Sequence, residues 1–170
     1  ADGTVAIGLD ALKVLTTGAK NIAIGYKAGS TIATTGGNTY VGHEAGVENG
    51  GEFNVGIGTS ALGDSSASVD DCVAIGYNTM ASADSGQDDR CVAIGSGALQ
   101  NQNATSNSLN VAIGYGAQKL TVSGAYNTVV GYNAMTTPTT AQKNVAVGYN
   151  AMTTIKTGTV IDGCVAIGYE

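Results

Sequence analysis

The side chains that could do chemistry in this chain are few, and they form no catalytic set. The three cysteines, Cys72, Cys91 and Cys164, are separated by 19 and 73 residues and lack the spacing of metal ligands. His43 is the single histidine. With no second histidine and no suitably placed Ser or Cys, neither an acid–base pair nor a nucleophile triad can be named. The sequence therefore predicts no enzyme, no metal site and no cofactor.

Acidic residues concentrate in two neighbouring polar segments. One interpretation is a solvated turn that prevents edge-to-edge aggregation. The sharper interpretation is a cation site or a receptor contact, but the glycine-rich calcium repeat motif is absent, which weakens the calcium option. The candidate contact residues are Asp64, Asp70, Asp71, Asp84, Asp88, Asp89 and Arg90.

Composition restricts the class of protein. The net charge of −6 argues against nucleic acid and anionic membranes as partners, because both would repel the chain. The longest apolar runs are only a few residues, so we expect no membrane insertion. Apolar residues make up 43% of the chain, yet there is one Phe and no Trp. A fold of thin, repeated layers fits this better than one thick core or disorder.

One pattern, a β-branched residue, a small residue, a β-branched residue and glycine, recurs ten times and fills the chain. Spacings of 16–20 residues separate the copies, and they predict one repeat domain over residues 1–170. The β-branched pair indicates a short strand whose alternate side chains share a face. The glycines that end the pattern, called anchor glycines below, are Gly8, Gly25, Gly42, Gly58, Gly76, Gly95, Gly114, Gly131, Gly148 and Gly168.

Four residues before each anchor glycine lies a column of Asn and Cys, called the Asn column below. Stacked Asn residues predict a structural ladder in which each amide bonds to the next. We interpret the cysteines as small buried fillers, with a Cys72–Cys91 disulfide or a ring of cysteines around a threefold axis as alternatives. The predicted ladder is Asn21, Asn38, Asn54, Cys72, Cys91, Asn110, Asn127, Asn144 and Cys164, with Thr4 in the first copy.

A second column follows each anchor glycine and holds tyrosine in six copies and His43 in one. A structural stack is the first interpretation of this tyrosine column, and a platform for sugars is the alternative. Three copies of His43 in a trimer could approach a metal, but no second ligand recurs with it.

Each repeat therefore predicts one coil, with a short strand, a small-residue corner, a weaker second strand and a polar turn. The fold class is an all-β, parallel β-solenoid, or β-roll, of about ten coils and roughly 45 Å in length. Such a roll leaves one continuous apolar face uncovered, and an exposed face of that length needs a partner. We expect self-association, with three chains around a common axis.

The repeated element resembles a known family. Asn-x-Ala-x-Gly, at residues 21–25, 110–114 and 144–148, is similar to the head repeat of YadA-like trimeric autotransporter adhesins and to repeats of bacteriophage tail fibres. The resemblance implies a left-handed parallel β-roll, a homotrimer and attachment to a host surface. The coils here are longer than the usual head repeat of the family, which favours the fibre branch, and we expect the chain to be a segment of a longer fibre.

The predicted function is thus a structural and adhesive segment of an extracellular trimeric fibre, on a cell or virion surface. Its partners would be copies of itself and a host receptor, glycan or matrix protein. The alternatives are a homopolymeric extracellular filament and an ice-binding β-solenoid, since pairs of threonines occur, although at unequal offsets from the anchor glycines.

Overall fold

A computed structural model describes residues 2–63, 68–83, 89–102, 108–120, 124–136, 140–153 and 161–170. Ten strands of three residues, one in each repeat, form one parallel sheet in chain order. The strands are β1 (Val5–Ile7), β2 (Ile22–Ile24), β3 (Thr39–Val41), β4 (Val55–Ile57), β5 (Val73–Ile75), β6 (Val92–Ile94), β7 (Val111–Ile113), β8 (Thr128–Val130), β9 (Val145–Val147) and β10 (Val165–Ile167).

The strands pair in register, so equivalent positions of successive repeats lie side by side. Ala93 of β6, for example, is paired with Ala74 of β5 and Ala112 of β7. This arrangement confirms the predicted all-β, parallel solenoid. The coil count differs slightly from the predicted ten, because the ten strands correspond to about eight turns.

The anchor glycines stack directly on one another. Gly95 has a φ of +123°, and a Cβ added there would lie 2.5 Å from the carbonyl oxygen of Gly114 in the next coil. A side chain would therefore have to displace neighbouring backbone, which explains why this column holds only glycine.

The middle residue of each strand points into the coil. In β2–β9 this residue is buried, whereas the two flanking residues are half-buried or exposed. Alanine is common at this position because the interior is thin, and Tyr40 is its bulkiest occupant. Glycines make room for the Tyr40 ring, since a Cβ added at Gly46 or Gly56 would lie 2.6 or 2.9 Å from a ring carbon.

The predicted second strand is wrong for the described residues, whose only strands are the ten above. After each anchor glycine the chain instead adopts left-handed backbone at alternate residues, as at Asn78 (φ 50°) and Met80 (φ 48°). Such residues reverse the chain too tightly for an extended strand. The turns still bond from coil to coil, for example from Met80 N to Ala98 O at 3.0 Å.

Candidate functional site

The Asn column holds each coil to the next. The Asn127 side chain donates from Nδ2 to Ala141 O at 2.8 Å and accepts at Oδ1 from Asn144 N at 3.0 Å. Both contacted groups belong to the following coil, so one buried amide binds a donor and an acceptor of its neighbour. The prediction of direct amide-to-amide bonding was largely wrong, because the backbone competes for both ends of the amide. Of the described Asn pairs, Asn144 Nδ2 to Asn127 Oδ1, at 3.2 Å, has the predicted form.

The cysteines occupy the same column, but a thiol offers fewer hydrogen-bonding groups than the amide of Asn. Cys72 Sγ accepts from Cys91 N, and Cys91 Sγ accepts from Asn110 N, both at 3.4 Å. Hydrogen bonding to the Cys91 side chain, together with burial, raises the pKa of Cys72. Both thiols are buried and neither belongs to a disulfide, which agrees with the filler interpretation rather than with the alternative disulfide. Cys164 is also free but exposed, so the prediction of burial is wrong there, because it lies in the outermost coil.

The described acidic residues of the candidate contact group, Asp70, Asp71 and Asp89, lie near one another. Asp70 and Asp89 occupy equivalent places, two residues before Cys72 and Cys91. Asp70 Oδ1 accepts from Glu52 N at 2.7 Å, and Asp89 Oδ1 accepts from Asp70 N at 2.9 Å, so both carboxylates bond to the coil before their own.

The basic member of the same group is Arg90, whose Nε lies 3.9 Å from Asp71 Oδ2. Both of these side chains are about half exposed. Asp64, Asp84 and Asp88 lie outside the described residues. A cation or receptor role for this group stays a prediction.

The outer face of the sheet carries a continuous, mostly apolar surface. It consists of the two β-branched residues of each strand, which flank the buried middle residue, and we call it the aliphatic stripe. The stripe runs along all ten strands and contains only Val, Ile and Thr. Its more exposed members include Val5, Ile7, Ile22, Ile24, Ile57, Ile94, Ile113, Val165 and Ile167.

The tyrosine column lies beside the stripe and forms a true ring stack over its last four members. Tyr115, Tyr132, Tyr149 and Tyr169 have ring centroids 5.1–5.2 Å apart and interplanar angles of 5–14°. His43 stacks on Tyr26 at 5.1 Å, as the structural interpretation of this column predicts. Its Nδ1 lies 3.7 Å from Glu44 Oε2.

Within the described ranges, no three His, Cys, Asp or Glu side chains converge in a way that could hold a metal ion. Nor does this part of the chain contain a helix that is long and apolar enough to cross a bilayer.

Comparison of the chain with protein-family models, curated proteins and solved structures found no match. The resemblance to adhesin and tail-fibre repeats therefore stays a prediction.

Two features escaped the sequence analysis. One is the Asp that precedes each cysteine of the Asn column by two residues; the recurrence of Asp-x-Cys at 70–72, 89–91 and 162–164 was the available signal. The other is an interruption of the tyrosine column at Ser96, between Tyr77 and Tyr115. The serine was visible in the alignment of repeats, but its consequence depends on how far apart stacked coils hold the two flanking rings.

Proposed function

We propose that this chain is a structural and adhesive segment of an extracellular fibre, in which three copies pack through their aliphatic stripes. The observation that carries the proposal is the stripe itself, two continuous columns of β-branched, mostly apolar side chains on the outside of the sheet.

The dimensions of the stripe favour a protein partner. Ten strands at about 4.8 Å give a length of roughly 43 Å, and two alternating columns of side chains give a width of about 13 Å. The product, on the order of 550 Å², is the footprint of the stripe, of which part is exposed, and exposed apolar patches of several hundred Å² commonly mark interaction sites. Covering it from water would stabilise the assembly by the ordinary hydrophobic effect.

The repetition of the stripe favours a second copy over an unrelated protein. A partner has to present complementary side chains at the same spacing over all ten strands, and an in-register copy does so by construction. The stripe contains no charged residue, so the net charge of −6 does not place like charges opposite one another in the contact. The number three is supported by the resemblance to trimeric adhesin heads.

The attachment part of the proposal rests on that same resemblance and on the exposed turns. A fibre of this type works outside the cell, on a cell or virion surface, with a host receptor, glycan or matrix protein as its second partner. The acidic composition favours such a partner over nucleic acid.

A homopolymeric filament is the second candidate, and the parallel, in-register pairing of successive strands favours it. Stacking of one roll on the next would continue that pairing.

Electron microscopy of the purified chain, combined with binding to matrix-coated and glycan-coated surfaces, tests the proposal. Discrete rods of roughly 45 Å that bind a surface support the fibre segment. Endless threads support the filament, and isolated single rolls that bind neither surface contradict both.

A further inference from the structure

The tyrosine column contains a gap of one residue. Ser96 occupies the rung between Tyr77 and Tyr115. Backbone bonds place these three residues on successive rungs, because Gly97 N donates to Tyr77 O at 2.9 Å and Gly116 N donates to Ser96 O at 3.0 Å. Where the column is continuous, each rung carries an aromatic ring; here one ring is missing.

The gap has the height of one stacked ring. Neighbouring rings of the continuous stack lie 5.1–5.2 Å apart, so rings two rungs apart are separated by about 10 Å. A ring inserted over Ser96 would lie about 5 Å from each wall, within the usual range for stacked rings. Tyr115, which has a ring on one face only, is 53% exposed, against 45% and 46% for Tyr132 and Tyr149, which are stacked on both faces. Tyr77, which lies between Thr59 and Ser96 in the column, is 59% exposed.

Polar side chains surround this gap, which we call the tyrosine slot. It is an open pocket of about 180 Å³ whose lining includes Asn78, Gln100 and Lys119. Gly97 lies among them, and a Cβ added there would be 3.4 Å from Gln100 Oε1 and 3.9 Å from Lys119 Cε. Both side chains therefore lie beside Gly97 at the slot. Lys119 forms no ion pair with another described residue.

We infer that the tyrosine slot binds one pyranose ring that carries a carboxylate. The two tyrosine faces would contact the C–H faces of the sugar, Asn78 and Gln100 would bond to its hydroxyls, and Lys119 would pair with the carboxylate. The volume suits one ring, since pockets for larger ligands start at about 300 Å³. This inference names the receptor class of the attachment function proposed above and rests on that proposal.

The other interruption of the column provides an internal comparison. Thr59 separates His43 from Tyr77, but the acidic Glu44 lies beside His43, at 3.7 Å from its Nδ1. Glu44 also pairs with Lys27 at 3.9 Å, so the cation on that side already has an acidic partner. Lys119, the charged residue among those lining the tyrosine slot, forms no ion pair with another described residue. We therefore assign the acidic sugar to the gap at Ser96.

Ligand-observed NMR on the assembled protein tests the inference. The probes are the α-methyl glycoside of N-acetylneuraminic acid and methyl glucuronide, with methyl glucoside as the neutral control. Tyrosine fluorescence gives a second readout, since the chain has no Trp. We expect saturable binding of at least one acidic probe with a Kd of about 1 mM. Which acidic probe binds distinguishes a terminal sialic acid from a uronic acid.

Four variants distinguish an effect on binding at the tyrosine slot from an effect on folding. Ser96→Tyr places a ring on the empty rung and fills the slot, so binding should vanish while the melting temperature stays the same or rises. Tyr115→Ser removes one wall and should weaken binding at least about tenfold. Lys119→Gln should reduce binding of the acidic probe to the level of methyl glucoside. Tyr149→Ser removes a ring from the continuous stack and should leave binding unchanged.

Three outcomes would overturn the inference: no binding of either acidic probe, equal binding of methyl glucoside, or unchanged binding by Ser96→Tyr. Molar mass and surface attachment are measured on the same sample. A protein that assembles and attaches but ignores the acidic probes refutes the slot alone. One that neither assembles nor attaches refutes the proposed fibre function.

Discussion

The two sides of each three-residue strand differ in how completely the chain itself covers them. On the inner side, the middle residue is buried and the Asn column binds backbone groups of the next coil. On the outer side, the aliphatic stripe repeats just as regularly but remains half exposed, with Ile94 at 36% and Ile57 at 39%. One repeat thus encodes two surfaces, an inner one completed by the chain itself and an outer one that, in the proposed fibre, another copy would cover.

The largest contrast between the two sides should come from matched tyrosine truncations. Tyr40→Ala empties an interior position that is fully buried and should lower the free energy of unfolding by about 3–5 kcal/mol. Tyr132→Ala removes an exposed ring of the tyrosine column and should cost about 1 kcal/mol or less. Denaturant titration measures both. Equal losses would mean that the inner and outer sides do not differ in this way.

Removing one amide of the Asn column should have the next largest effect. Asn127→Ala leaves Ala141 O and Asn144 N without their bonds to Asn127, and we expect a loss of about 2–4 kcal/mol. Asn101→Ala, at an exposed turn position, serves as the control and should stay within about 0.5 kcal/mol. An Asn127→Ala variant with nearly the stability of the wild type would show that the Asn column contributes little to the free energy of unfolding.

Alkaline pH should weaken the inner side specifically. Burial raises the pKa of the Tyr40 hydroxyl, which also accepts a hydrogen bond from Asn49 Nδ2 at 3.1 Å. Above pH 10.0, the ordinary pKa of tyrosine, the unfolded chain releases this proton while the folded chain keeps it. The contribution of Tyr40 to the free energy of unfolding is therefore complete below pH 10.0 and declines above it. The slope should approach about 1.4 kcal/mol per pH unit. Denaturation midpoints between pH 8 and about pH 11 should show the decline in the wild type and a smaller one in Tyr40→Phe.

Thiol labelling reports accessibility rather than stability, and it should distinguish the buried cysteines from the exposed one. Cys72 and Cys91 are buried and Cys164 is exposed, and reactivity follows accessible thiolate. An aromatic disulfide reagent should therefore label one cysteine per native chain and all three after denaturation. Rapid native labelling of Cys72 or Cys91 would contradict the closed inner side.

Repeat regularity explains how much could be predicted from sequence. The ten anchor glycines and their β-branched neighbours predicted every strand, because a strand of alternating faces is a local property. The second strand was mispredicted, since left-handed backbone at non-glycine residues such as Asn78 and Met80 has weak sequence signals. The role of Asn127 as a link between backbone groups, and the slot over Ser96, depend on distances between coils that only the stacked structure provides.

Molar mass in solution, measured by light scattering on the wild type and on Ile94→Glu, tests most directly whether the aliphatic stripe is completed by copies of the chain. We predict a stable wild-type mass near three times 16.8 kDa, and a folded single chain for Ile94→Glu, whose carboxylate would be buried without a partner in the contact. A wild type that remains a folded monomer of 16.8 kDa at high concentration would contradict the account.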